Sequence, residues 1–108
     1  MKRGEIWWAE LPKPSGRRPV LLLSRDRAIE VRQNVTIAEI TTSVRRIPSE
    51  VLLNKSDGMS KECVVNLDVI NTVCKDWLIS KITELNHEKL KLVEKTLKYV
   101  LALSQSEF

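Results

Sequence analysis

All eight arginines of the 108-residue chain (Arg3, Arg17, Arg18, Arg25, Arg27, Arg32, Arg45 and Arg46) lie before position 47, and the cationic side chains after it are all lysines. A planar guanidinium binds two phosphate oxygens at once, whereas an ammonium is a hydrated point charge suited to solvated surfaces. Through Gly58 there are eleven Lys/Arg against seven Asp/Glu, and from Met59 onward seven of each, so the net charge of +4 belongs to the first half. The first half is expected to build a phosphate-facing surface.

Other site chemistries find little support. The one histidine, His87, has no serine or cysteine nucleophile motif beside it, which removes the triad reading. There is no P-loop, dinucleotide fingerprint or HExxH, and the acidic residues are scattered instead of clustered for magnesium. Cys63 and Cys74 stand eleven positions apart with no CxxC and no nearby histidine, so buried free thiols are expected in place of a zinc site or redox dithiol. Neither a metal nor a cofactor is expected. One reaction suits an arginine-rich site of this kind: cleavage of RNA by its own 2′-hydroxyl. The substrate brings the nucleophile, so the protein has to align it with the leaving oxygen and stabilise the added negative charge on phosphorus.

Such donors need rigid supports. Short apolar segments, "EIWWAEL", "RPVLLLS", "NVTIAEITT", "SEVLL", "ECVVNLDVINTV" and "WLISKI", are each bounded by polar or turn residues, which predicts a mainly β chain. Pro12, Pro14 and Gly16 form a turn just before Arg17 and Arg18 enter the second segment. From Asn34 to Thr41, alternation puts Ile37, Glu39 and Thr41 on one face and Thr36, Ala38 and Ile40 on the other. The charged stretch "RDRAIEVRQ" reads as a short helix or a mobile loop, and its length and arginines suit a flap over a substrate. Trp7 and Trp8 must face opposite sides of a strand, so at most one is core; the outer indole is expected in an interface, with base stacking as the alternative. Asn86 is a good N-cap between a Leu85–Leu90 staple, opening a helix from about His87 to Leu103. Leu90, Val93, Leu97, Val100 and Leu101 make its core stripe, while Leu92, Tyr99 and Leu103 fall nearly opposite and predict a partner or second subunit. Residues 1–108 read as one domain. No apolar run reaches the roughly 18 residues of a membrane span. The N-terminus goes to Glu5 and Glu10 without a continuous apolar segment, so a cytoplasmic location is expected.

In order and spacing, "KRGEIWWAEL", "GRRPVLLLS", "VTIAEITTS" and "CVVNLDVINTV" resemble the MazF/PemK family of toxin endoribonucleases, over roughly residues 2 to 82. The resemblance implies an SH3-like small barrel of the MazF/PemK/CcdB type, mainly β with a C-terminal helix. It implies a homodimer that is the toxin of a type II toxin-antitoxin system, cuts single-stranded RNA without metal, and is neutralised by a cognate antitoxin. Arg18, directly before Pro19, and Thr41, ending the third strand, match the family's catalytic arginine and threonine. Arg17 then serves as a further phosphate contact, Thr42 and Ser43 adjoin the catalytic hydroxyl, and Arg25, Arg27 and Arg45 complete the RNA-binding set. The chain departs from the pattern in its first loop, which in many members is longer and carries an acidic residue; "SGRRP" is short and has none. A charged arginine has no lone pair to accept a proton. Glu39, two residues from Thr41 on the same face, is the candidate proton acceptor. Two other readings stand beside this one. A CcdB-type gyrase poison acts through a tryptophan-containing tail, which the ending "LSQSEF" lacks. A non-catalytic SH3-like nucleic-acid-binding module fits the charge distribution but not the placing of Arg18 and Thr41.

Overall fold

A computed structural model describes residues 1–103. The final segment "SQSEF", which bears on the gyrase-poison reading, lies outside the described residues. Along the chain come β1 (Glu5–Glu10), β2 (Arg17–Leu22), α1 (Asp26–Val31), β3 (Asn34–Thr41), β4 (Glu50–Leu53), β5 (Cys63–Cys74), β6 (Leu78–Glu84) and α2 (His87–Val100). The short apolar segments have thus become strands, and the fold is mainly β with a C-terminal helix. Every paired neighbour is antiparallel, in the order β4-β5-β3-β2-β1-β6. The SH3-like barrel takes the form of a curled half-barrel, with β4 and β6 as its two edges.

Strand alternation divides the core in two. Leu21, Ala38 and Ile40 point inward with Val51 and Leu53 of β4, and Ile82 of β6 packs against the same cluster. Because both edge strands reach this cluster, it is the inside of the curl. Val20, Leu22, Val35 and Ile37 point to the other face, where Ile29 of α1 covers them. The stretch "RDRAIEVRQ" is therefore a packed helix and not a mobile flap: Ala28 and Ile29 are buried, and Lys75 Nζ donates to the Ile29 carbonyl. Two adjacent apolar residues were enough to fasten it.

The curl is closed by contacts that bridge its edges. Asn54 and Asp57 cap the 3-10 turn Lys55–Asp57 after β4, and Lys89 of α2 reaches both Asp57 Oδ2, at 3.5 Å, and the Leu52 carbonyl, at 3.0 Å. Gly58 follows with φ +95°, and a Cβ there would stand 2.2 Å from Thr83 Oγ1 on β6. Only glycine lets the two edges come this close. Between β1 and β6, Glu5 is 5% exposed. Its Oε1 accepts from Trp7 Nε1 at 2.8 Å, and its Oε2 lies 3.3 Å from Lys81 Nζ. Burial pushes this carboxyl up, but the hydrogen bonds from the Trp7 indole, the Lys2 backbone and Lys81, with the charge of Lys81, hold it below the ordinary carboxylate range.

Helix α2 starts as its cap predicts, with Asn86 Oδ1 accepting from Lys89 N at 2.8 Å. Val93 is fully buried, and Leu90, Leu97 and Val100 pack against the inner cluster. It ends three residues earlier than expected, which leaves Leu101 exposed and outside the stripe. Ala102 takes φ 54°, Leu103 N donates to the Lys98 carbonyl and Ala102 N to that of Tyr99, a Schellman stop. The usual signal for that stop is glycine, and this sequence has alanine. Cys63 is buried, whereas Cys74 is half-buried instead of fully buried as expected; both are free thiols. No helix among the described residues is long and apolar enough to cross a membrane.

Candidate active site

Arg18 sits where a tight turn delivers it to the sheet. Leu11 N donates to the Gly16 carbonyl at 3.0 Å and Ser15 N to that of Pro12 at 3.1 Å, with Gly16 at φ +64°. Strand β2 pairs with β3 so that Val20 faces Glu39, Leu21 faces Ala38 and Leu22 faces Ile37. Arg18 and Thr41 each lie two residues beyond the last of these pairs on their strands. Facing residues of an antiparallel pair have Cβ atoms about 4.5–5.5 Å apart, and Glu39 is the diagonal neighbour of Arg18 in this lattice. The contacts agree: Arg18 Nη1 lies 3.3 Å from Glu39 Oε1, Arg18 Nε donates to the Ser15 carbonyl at 3.2 Å, and Ser15 Oγ donates to Glu39 Oε2 at 3.3 Å. Turn, strand and neighbouring strand together fix the plane of the guanidinium. A fork with five N–H donors keeps others for a ligand.

Thr41 Oγ1 accepts from Ser43 N at 3.1 Å, which orients the hydroxyl and leaves its proton to donate elsewhere. A second row crosses three strands, since Glu39 faces Asn66 of β5 and Asn66 faces Glu50 of β4. Glu50 Oε1 accepts from both Arg45 N and Arg46 N at 3.0 Å, tying down the loop after β3.

Two cavities flank the end of β3. A polar one of about 190 Å³ is lined by Arg18, Glu39, Thr41, Ser43, Arg45, Glu50, Asn66 and Val69. A larger one of about 620 Å³ opens on the inner side, with Trp8, Arg17, Pro19, Ile40, Thr42, Met59 and Cys63 in its wall. Arg18 and Thr41 line both, so they form the ridge between them. The Arg17 guanidinium carbon stands 5.7 Å from the Trp8 ring centroid, a cation–π contact worth about 0.5–1 kcal/mol at an exposed site. Burial, aided by the charges of Asp57 and Glu62, pushes the Cys63 thiol up, so it is a neutral wall of the cavity and no nucleophile.

A model of the family described as PemK-like, MazF-like toxin of type II toxin-antitoxin system matches residues 2–101. The chain belongs to this family. Among curated relatives of this MazF-like toxin is "Probable endoribonuclease MazF5" of Mycobacterium tuberculosis, 37% identical over 92 residues that cover 84% of each chain. "Endoribonuclease EndoA" of Bacillus subtilis is 31% identical over 111 residues, covering 95% of this chain and 96% of the relative. Among solved structures, "Mycobacterium tuberculosis toxin MazF-mt6" superposes with TM-score 0.86 and 29% identity, over 94% of this chain and 99% of the other. "Endoribonuclease in complex with its cognate antitoxin from Mycobacterial species" has TM-score 0.86 and 26% identity, over 97% and 98%.

In this MazF-like chain Arg17, Arg18, Glu39, Thr41, Thr42, Ser43 and Arg45 all reach one or the other cavity. Arg25 and Arg27 line neither. They lie past the far end of β2, which at about 3.3 Å per residue is roughly 13 Å from Arg18, and Arg27 pairs with Glu30. The arginine-rich half is consequently not one surface: Arg3 binds Glu94 and the Leu23 carbonyl as a structural tie. Several cavity residues escaped the sequence reading. Asn66 shows itself only as a polar break in an apolar run, Glu50 only through its register, and Lys55 and Lys61 come from a loop that folds back over the sheet.

Proposed function

We propose that this chain is the toxin of a type II toxin-antitoxin pair and a metal-independent endoribonuclease that cleaves single-stranded RNA. The observation that carries the reading is the Arg18–Thr41 ridge, set by strand register between two cavities in a chain whose relatives are named endoribonucleases. The scissile phosphate sits on the ridge. Arg18 and the Thr41 hydroxyl donate to its non-bridging oxygens and strengthen those bonds as charge builds in the pentacoordinate state. The RNA 2′-oxygen attacks phosphorus, its proton passes to the Glu39 carboxylate, and the 5′-oxygen leaves and takes a proton from solvent. The products are a 2′,3′-cyclic phosphate and a 5′-hydroxyl, and Glu39 returns its proton to water. Arg17, Thr42, Ser43 and Arg45 hold the strand on either side. The toxin works in the cytoplasm as a homodimer, through the α2 face that carries Leu92 and Tyr99, and an acidic antitoxin segment covers the ridge.

An RNA with one 2′-deoxy sugar immediately 5′ of a mapped cut tests the chemistry. Cleavage of the all-ribose strand in excess EDTA, with none at the deoxy position, is the expected result. Comparable cutting at the deoxy site, or loss of cutting in EDTA, would replace this mechanism with a metal-dependent one.

A further inference from the structure

Ser15 touches both side chains that the proposed reaction pairs. It sits in the turn between β1 and β2, where its N–H donates to the Pro12 carbonyl at 3.1 Å and Gly16 follows at φ +64°. From that place its own carbonyl accepts from Arg18 Nε at 3.2 Å, and its hydroxyl donates to Glu39 Oε2 at 3.3 Å. The backbone of one residue thus holds the cation and its side chain holds the carboxylate. Glu39 Oε1 faces Arg18 Nη1 at 3.3 Å, and the Glu39 side chain is 13% exposed. A carboxylate so covered depends on its partners, because an ionised group taken out of water without hydrogen bonds is costly.

Resting on the ribonuclease reading above, we propose that Ser15 is a positioning residue for Glu39: its hydroxyl keeps the carboxylate aimed at the ridge when the phosphate draws Arg18 away. In the free protein Arg18 satisfies Glu39 from one side. A phosphate on the ridge competes for the same Nη donors, and a guanidinium that turns toward it lets go of Oε1. Two effects follow. Oε1 is released as the atom that accepts the 2′-proton, while Oε2 stays anchored by the Ser15 hydroxyl. Without that anchor the carboxylate is free to turn about its last side-chain torsion, which has a broad and weakly restrained profile. Arg18 meanwhile keeps its Nε bond to the Ser15 carbonyl, so the guanidinium pivots about a fixed point and changes partner at its tip. Ser15 touches no reacting atom and acts through the two groups it holds.

The test measures kcat and KM on one defined oligonucleotide for the wild-type protein, Ser15→Ala, Ser15→Thr, Glu39→Gln and the double variant with both Ser15→Ala and Glu39→Gln. Ser15→Ala keeps the carbonyl that holds Arg18 and removes the hydroxyl alone. It should lower kcat about 10-fold with KM nearly unchanged, and Ser15→Thr, which keeps a hydroxyl at that place, should retain most of the activity. In the Glu39→Gln background the same Ser15→Ala change should cost at most about 2-fold, because the carboxylate it aims is already gone. A full loss in that background overturns the proposal and assigns the effect to the turn, as does an unchanged kcat in Ser15→Ala. A Ser15→Thr protein that melts like wild type yet cleaves as slowly as Ser15→Ala overturns it too, and so do near wild-type rates in Glu39→Gln. If the wild-type protein cuts no RNA, the ribonuclease reading itself has failed, a result distinct from all of these.

Discussion

At the scale of single residues, the ridge predicts unequal substitutions. Arg18→Ala should lower cleavage about 10²- to 10³-fold, the usual loss for one transition-state donor, and Arg18→Lys should recover little because an ammonium cannot span two oxygens. Near wild-type rates in Arg18→Ala, measured on a defined oligonucleotide, would remove it from the mechanism. Thr41→Val deletes the hydroxyl and with it the bond from Ser43 N, so a loss of about 1 kcal/mol in stability should accompany the loss of rate. Thr41→Ser should keep both. Glu39→Gln should slow the reaction at least 10²-fold if the carboxylate takes the 2′-proton, since the amide cannot. Glu5 gives a pH signature far from the ridge. Its folded-state pKa is depressed, so the unfolded chain takes up the proton first as pH falls. The stability it contributes is present above about 4.3 and is lost as pH drops through the folded value. Glu5→Gln should therefore lower Tm at neutral pH by more than it does near pH 3. A constant difference across that range would show that the Glu5–Lys81 pair is not the cause.

At the scale of elements, the approach of the two sheet edges is the most exposed to test. Gly58 combines φ +95° with a Cβ position 2.2 Å from Thr83 Oγ1, whereas Gly16, at φ +64°, has nothing within 4 Å of that position. Gly16→Ala should cost about 1–2 kcal/mol, the conformational term alone. Gly58→Ala should cost more, and at several degrees of Tm per kcal/mol for a domain of this size the fall should reach about 10 °C. Adding Thr83→Ala should recover part of it by removing the clashing atoms. Equal melting of the two alanine variants would mean that the edges are not held as close as described. Lys55, Gly58 and Lys61 all line the larger cavity, so the same substitution should loosen that wall and weaken RNA cleavage.

At the scale of the whole molecule, the charge and the leftover apolar surface call for partners. Leu92 and Tyr99 are exposed, with Tyr99 at 64%, on the side of α2 away from the core, and Leu103, expected on the same face, lies past the end of the helix, where it is also exposed. Light scattering at micromolar concentration should give the mass of a dimer, and Leu92→Lys with Tyr99→Lys should shift it toward the monomer with α2 still folded. A monomeric wild-type protein would refute the homodimer. An acidic antitoxin segment that orders on the ridge should stop cleavage at saturation and protect less as salt rises. Full cleavage by the saturated complex would refute occlusion.

The sequence by itself determined the strands, their order and the final helix, and it singled out Arg18 and Thr41, the two side chains that line both cavities. Apolar segments bounded by turns, the Pro12–Gly16 turn before Arg18, the alternation that puts Glu39 and Thr41 on one face and the Asn86 cap are all local, and local patterns survive in one dimension. What the tertiary structure alone decided is which strands meet and in what register. Register faced Val20 with Glu39, which brought Arg18 beside that carboxylate, and it strung Glu39, Asn66 and Glu50 across three strands; Arg25 and Arg27 were left past the far end of β2. Charge composition grouped all eight arginines because it counts without direction, while a strand of six residues separates its two ends by roughly 20 Å. The larger cavity was equally hidden, for its wall joins β1, β2, β3, the start of β5, β6 and the loop after β4, from Trp8 to Ile82, residues that only the curl of the sheet brings together.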